Sequence, residues 1–211
     1  MTKAMQESLG KSSPYLYDKA FELSRLSNTH IKILDAGCGG GDFLNFLHGK
    51  GFSRITGCDG FSFGSHAFPF HQMNLNEPWS LPEKYDFIFA LEVIEHLENP
   101  RTFFRELHRC LNPGGTILVS TPNNESITSI ISFILKGHFS AFVGRCYPAH
   151  ITPVVTMDAV RIADEVGFKK IEVFFSNQGR FPGTNLHWQK LLGPFCRGRR
   201  FSDNFFLRAE K

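Results

Sequence analysis

An open α/β fold with a parallel sheet is predicted for this 211-residue chain by three features. Ile31, Ile33 and Leu34 read as a short buried strand that runs through Asp35 into a turn of small residues, Ala36 to Gly41, and then into an apolar-periodic segment opened by Asp42. Ser53–Cys58 is a second strand ending in Asp59, which lies 22 residues past Gly37; at that spacing a βαβ unit presents an acid to the two hydroxyls of a ribose. Tyr85–Ala90, YDFIFA, is an apolar strand expected beside the first, at the switch point where open α/β sheets bind ligands. The glycines answer a physical need: the turn takes backbone angles that a β-carbon forbids, and the backbone must come close to a ligand facing the free N–H groups of the helix start.

The elements follow in order. Residues 1–12 are polar, and Ser13-Pro14 is a helix start, a hydroxyl cap followed by proline at the first helical position. Leu16, Ala20 and Leu23 then form one stripe of a helix within residues 1–28, with Tyr17 and Phe21 beside it. The helix from Asp42 carries Phe43, Leu44, Phe46 and Leu47 and stops at Gly49 and Gly51. Residues 60–66, GFSFGSH, form a flexible loop, and Ala67–Gln72 a third strand. Asn99-Pro100 restarts a helix with Phe103, Phe104, Leu107 and Leu111 inward; Asn112-Pro113-Gly114-Gly115 turns tightly into a fifth strand, Thr116–Ser120. Thr156–Val166 is a helix with Ala159, Ile162, Ala163 and Val166 inward and Gly167 as its stop. Phe168–Ser176 is a sixth strand, Asn185–Leu192 a short amphipathic helix, and Asp203–Ala209 the final strand.

Bulk properties exclude several classes. Hydrophobic content of 42% and charged content of 20% are those of a globular protein with a sizeable core, and a net charge of +3 is too mild to argue for nucleic acid. Cys38, Cys58, Cys110, Cys146 and Cys196 are scattered without metal-ligand spacing, and read as reduced thiols of a cytoplasmic protein. The first residues show no signal-peptide core, and no apolar run is long enough to cross a bilayer.

The glycine loop selects among ligands. Gly37, Gly39 and Gly41 give G-x-G-x-G, and Asp42 stands where a dinucleotide fingerprint has its third glycine. An acid there repels a pyrophosphate and suits a ligand carrying positive charge. The pattern D-x-G-x-G-x-G from Asp35 resembles the first motif of class I S-adenosylmethionine (SAM) dependent methyltransferases. YDFIFALEVIEHLENP and LNPGGTILVSTPN resemble the later motifs of that family in the expected order over residues 31–123. The resemblance implies one methyltransferase domain over 1–211: a Rossmann-like seven-stranded, mostly parallel sheet with helices on both faces and the last strand antiparallel. It implies methyl transfer from SAM to a small-molecule or glycan acceptor, at an oxygen, leaving S-adenosylhomocysteine. Asp35, Gly37 and Gly39 would hold the methionine end, Asp59 the ribose, and Asn74 and Leu75 the adenine edge; Cys38, Gly60 and Leu91 complete the cofactor-binding set. The family usually has an acid where this chain has Asn74, whose side-chain oxygen can still accept the adenine amino group. In similar methyltransferases a leading helix covers the cofactor pocket, which would bring Tyr15 and Tyr17 near ligand.

Glu95 and His96, at the end of the fourth strand, are the candidate bases for an acceptor that loses a proton, with His150 in the substrate-loop region as a further catalytic candidate. Glu92, Glu95 and His96 would share a face if that turn is helical. The E-x-x-E-H arrangement resembles metal-assisted ubiquinone-pathway O-methyltransferases and small-RNA 2′-O-methyltransferases, so a divalent cation, with His150 as fourth ligand, is an alternative to which the reading does not commit. Residues 124–152 are a substrate-loop or lid insertion. Ser126–Leu135 reads as a lid, an interfacial helix or a cover; its lack of Lys and Arg before Lys136 argues against a basic membrane-surface helix. Arg197, Arg199 and Arg200 read as a solvated turn or as a grip on an acidic acceptor. Two other classes stay open: a catalytically inactive SAM-binding regulatory protein, and an NAD-dependent oxidoreductase, against which Asp42 and the lack of a Y-x-x-x-K pair count.

Overall fold

The computed structural model describes residues 14–62, 67–193 and 195–211. The polar segment 1–12, the Ser13 cap and residues 63–66 of the expected loop lie outside them. Seven strands form one sheet: β1 (Ile33–Ala36), β2 (Ile55–Asp59), β3 (Phe70–Gln72), β4 (Tyr85–Leu91), β5 (Leu111–Pro122), β6 (Lys169–Phe175) and β7 (Asn204–Glu210), in the order β3-β2-β1-β4-β5-β7-β6. The pairs from β3 to β5 are parallel, and β7 inserts antiparallel between β5 and β6. The expected seven-stranded, mostly parallel sheet with its last strand antiparallel is the one observed.

Alternation along the strands builds the two faces. In β4, Ile88 and Ala90 join one apolar cluster while Phe87, Phe89 and Leu91 join the other. On the first face lie α3 (Pro100–Cys110) and α5 (Thr156–Val166), which bury Phe103, Phe104, Leu107, Ile162 and Ala163. On the second lie α1 (Pro14–Ser24) and α2 (Asp42–Gly49), which bury Leu16, Ala20, Phe43 and Leu47. Each helix has its apolar stripe on the sheet, as the spacing of those residues requires. Asn99 caps α3 by accepting from Thr102 N at 3.2 Å, with Pro100 at the first position.

Several boundaries differ from expectation for identifiable reasons. The third strand starts at Phe70, not Ala67: Pro69 has no N–H to give to a ladder and contributes only its carbonyl, to Gly57 N at 2.9 Å. Leu111 leaves the helix and opens β5 opposite Tyr85, and the Asn112–Gly115 turn becomes an irregularity inside that strand. The short helix α6 covers only Trp188–Leu192, because Arg180 pairs with His187 across a turn at Gly183 and consumes Asn185 and Leu186. The apolar segment after β5 is a helix, α4 (Ile127–Lys136), capped by Ser126 Oγ on Ser129 N and ended by Gly137 in the left-handed region. Only Ser129 of this helix is buried. Tyr15 and Tyr17 make packing contacts within the domain: the Tyr15 hydroxyl donates to the Ser176 carbonyl, and the Tyr17 ring lies 5.1 Å from that of buried Phe43.

Candidate functional site

The C-terminal ends of β1 and β4 diverge beneath a cleft of about 500 Å³, at the switch point of the sheet. Gly37, Gly39, Asp59, Gly60, Asn74 and Leu75 line one end, and Glu92, Val93, His96, Leu97 and Ala149 the other, with Phe61 and Asn76 completing the wall. Glycine at 37 is demanded twice. Its φ is +82°, and a β-carbon there would sit 2.3 Å from Val93 Cγ2. The loop is held by backbone bonds from Gly37 N and Cys38 N to the Cys58 carbonyl at 2.7 and 3.1 Å. Asp59 reaches across it, accepting from Gly39 N at 2.9 Å and from Phe61 N at 3.1 Å. Beta-strand 2 thus delivers its terminal acid to the loop after β1.

Three of the expected cofactor residues do not line the cleft. Asp35 lies below the loop at 2% exposure, and its Oδ2 has no hydrogen-bond partner. Burial, reinforced by the nearby Asp59 charge, pushes its carboxyl up to about 8. The Cys38 side chain turns inward against Gly57, where an added β-carbon would meet its Sγ at 2.6 Å, so Cys38 can face a ligand only through its backbone. Burial raises both the Cys38 and Cys58 thiols far above the usual range, which leaves them inert as nucleophiles. Leu91 is 7% exposed and belongs to the core beneath β4. Asn74 is in place at the rim, with its oxygen accepting from Asn76 N at 3.1 Å and its amide donating to Glu77 at 2.8 Å. A carbonyl oxygen has a second lone pair for a further donor.

The other end of the cleft is built by contacts between distant parts of the chain. His96 stands in a single helical turn, Ile94–His96. Its Nδ1 is 2.8 Å from the Ala149 carbonyl, which can only accept, so Nδ1 carries the proton and Nε2 keeps its lone pair. His150 repeats the arrangement, Nδ1 to the Ala141 carbonyl at 2.7 Å, and the two rings meet edge-on at 4.8 Å. Burial lowers both imidazoles below their usual value and keeps them neutral. Glu95 lies behind them at 1% exposure. Its Oε2 accepts from Thr121 Oγ1 at 2.9 Å, its Oε1 has no hydrogen-bond partner, and a carboxylate oxygen is 4.0 Å from His96 Nε2. Burial and the neighbouring Glu92 raise Glu95 well above the carboxylate range. The Glu95 carbonyl receives Ile151 N and Thr152 N at 2.9 and 3.0 Å, which ties the segment after α4 over the site.

One ligand atom from each of Glu95, His96 and His150 lies within 4.8 Å of the others, a set that could hold a metal ion. Glu92 is not in it. The turn is not helical at Glu92, whose φ is +57°, and its carboxylate faces elsewhere, accepting from Ser120 Oγ at 2.9 Å and Asn204 Nδ2 at 2.8 Å. Burial pushes Glu92 up to about 7 against the pull of these two bonds. Sequence reading missed Phe61 as a wall, and Ser120, Thr121 and Asn204 as partners of the two acids; Asn204 stands 112 positions from Glu92, and no local pattern links them.

A family model described as a methyltransferase domain matches residues 12–173. The ubiquinone biosynthesis O-methyltransferase of Pseudomonas syringae pv. tomato is 29% identical over 141 residues, covering 60% of this chain and 56% of that protein. That of Aeromonas salmonicida is 23% identical over 197 residues, 85% of this chain and 77% of that protein. The chain thus spans little more than half of the first of these relatives. A SAM-dependent methyltransferase from Archaeoglobus fulgidus shares the fold with a TM-score of 0.68 at 18% identity, over 98% of each chain. Haemonchus contortus phosphoethanolamine N-methyltransferase 2 bound to SAM superposes with a TM-score of 0.63 at 15% identity, over 92% of this chain and 52% of that one.

Proposed function

Because this chain belongs to the class I SAM-dependent methyltransferase family, we propose that it moves a methyl group from SAM to an oxygen of a small-molecule or glycan acceptor. The observation that carries this reading is the two-ended cleft, with a glycine loop crossed by Asp59 at one end and a fixed imidazole base at the other. The residues suit a cationic cofactor. Asp35 has a buried oxygen without a partner below the loop, and the contact between Gly37 and Val93 leaves room only for backbone. SAM would supply the activated methyl. The work left to the protein is to align the acceptor, exclude water and take one proton. Gly37 and Gly39 present backbone to the methionine end, Asp59 stands at the ribose, and Asn74 and Leu75 edge the adenine. His96 Nε2 is the base: its tautomer is set by the bond to Ala149, and its low basicity keeps it neutral at physiological pH. Residues 124–152, pinned to Glu95 and His96, form the acceptor side. The acceptor class rests on the ubiquinone O-methyltransferase relatives, and five free thiols support a cytoplasmic setting.

The test is calorimetric titration with SAM, S-adenosylhomocysteine and NADH on the wild type and Asp59→Ala. Binding of the first two, weakened in the variant, is expected. Absence of SAM binding, or a preference for NADH, overturns the assignment. Binding without turnover on a broad acceptor panel would select the regulatory reading.

A second reading is favoured by the orphaned Glu95 Oε1 beside two imidazoles whose Nε2 lone pairs are unprotonated. Such a donor set suits a divalent cation, which would lower the pKa of an acceptor hydroxyl. Thermal stabilisation by Zn²⁺, Mn²⁺ or Mg²⁺ that His150→Ala abolishes would support it; unchanged melting and full activity in EDTA would end it.

A further inference from the structure

We propose that the face built from α4 and residues 173–202 docks on an anionic lipid membrane. The net charge of +3 hides a segregation. Residues 126–157 and 173–202 carry seven Lys and Arg and no Asp or Glu, so the rest of the chain holds 16 basic residues against 20 acids. The two stretches meet in the fold. Trp188 Nε1 donates to Thr128 Oγ1 at 3.4 Å, the Thr128 hydroxyl donates to the Arg180 carbonyl, and Asn123 Nδ2 donates to the Arg199 and Ser202 carbonyls at 2.6 and 2.9 Å. Charge absent from α4 alone, which argued against membrane contact, is therefore supplied by its neighbour.

The same face exposes its apolar side chains. Ile134 and Leu135 at the end of α4 are 73% and 75% exposed, Leu192 after Trp188 is 60%, and Phe195 is 92%. The same two stretches expose Lys136, Arg145, Lys190, Arg197 and Arg200, none in an ion pair among the described residues; Arg180 and Arg199 are paired, to Asp203 and Glu125. Protruding aromatic and aliphatic tips, accompanied by these five cations outside any ion pair among the described residues, match the boundary between anionic headgroups and acyl chains. A second copy is a poor occupant, because a two-fold contact would set this basic face against itself. A folded partner would need its acids in register with the cations, a demand that mobile anionic lipids do not make.

The face also connects to the cleft. Rings of Phe133 and Phe139 stack at 4.9 Å, Phe139 meets Phe142 at 6.5 Å, Phe142 meets His150 at 5.5 Å, and His150 meets His96. An aromatic chain therefore runs from the exposed face to the proposed base. No helix among the described residues is long and apolar enough to cross a membrane, so attachment would be peripheral.

The test is co-sedimentation of the whole chain with vesicles of phosphatidylcholine, alone or mixed with phosphatidylglycerol, at low and high salt. Binding to the mixed vesicles that high salt releases is expected. Lys136→Glu and Arg197→Glu should each weaken it at least about five-fold, near the worth of one basic residue at such a surface. Leu135→Ser and Phe195→Ser should each weaken it about ten-fold or more, with unchanged circular dichroism. No binding to anionic vesicles, equal binding to neutral ones, or a dimer in light scattering that Leu135→Ser dissociates would each overturn the proposal. The assay uses neither cofactor nor acceptor, so it fails or succeeds independently of SAM binding.

Discussion

Asp35 should make this fold less stable as pH rises. Its carboxyl is raised to about 8 in the folded chain from an ordinary value of 3.8, by burial first and by Asp59 second. Between those values the folded chain holds a proton that the unfolded chain has released. Raising the pH then favours the unfolded state by about 1.4 kcal/mol per unit, or roughly 4 kcal/mol between pH 5 and 8. Asp35→Asn, nearly isosteric with the protonated side chain, removes that slope. The assay is urea denaturation of both proteins across this range, with the difference between the curves isolating residue 35 from every other titrating group. The variant should match or trail the wild type at pH 5 and surpass it at pH 8. A cationic methionine end docked beside Asp35 must expel its proton, so SAM binding near pH 6 should release up to one proton per protein, seen as buffer-dependent calorimetric heat. Parallel stability curves for the two proteins would refute the reasoning, since they would show Asp35 already ionised in the fold.

Gly37→Ala places a β-carbon 2.3 Å from Val93 Cγ2 at a φ of +82°, and should abolish measurable SAM binding; adding Val93→Ala should relieve the contact without restoring the backbone, so binding by the double variant stays weaker than wild type by calorimetry. His96→Ala should lower kcat by about 10²–10⁴ with SAM affinity little changed, a split readable from initial rates and titration. Phe168→Ala empties a fully buried site between Phe104 and His108 and should cost about 3–5 kcal/mol in denaturant unfolding.

The glycine loop was legible because its constraint is local. Strand, turn and helix follow within about a dozen residues, and positive φ at Gly37, Gly39 and Gly41 is what small residues in that pattern imply. Helix α5 was legible for the same reason, its Ala159, Ile162 and Ala163 falling on one face and onto the sheet. Where boundaries slipped, a partner outside the segment decided: Tyr85 drew Leu111 from helix into strand, and the Arg180–His187 pairing shortened α6. The E-x-x-E-H letters suggested one shared face, but Glu92 is turned aside by Ser120 and Asn204.

The α/β class, the place of the glycine loop and the strand-end acids at 35 and 59 were readable from the sequence, because these follow from periodicity and backbone sterics over short spans. Only the tertiary structure decided that Asp35 is buried below the loop while Asp59 crosses it, and that His150 meets His96 across 54 positions. It alone joined two acid-free stretches, separated by helix α5, into one basic and apolar face. Burial and proximity between distant segments set these features, and both arise from how helices and strands pack, which no local pattern encodes.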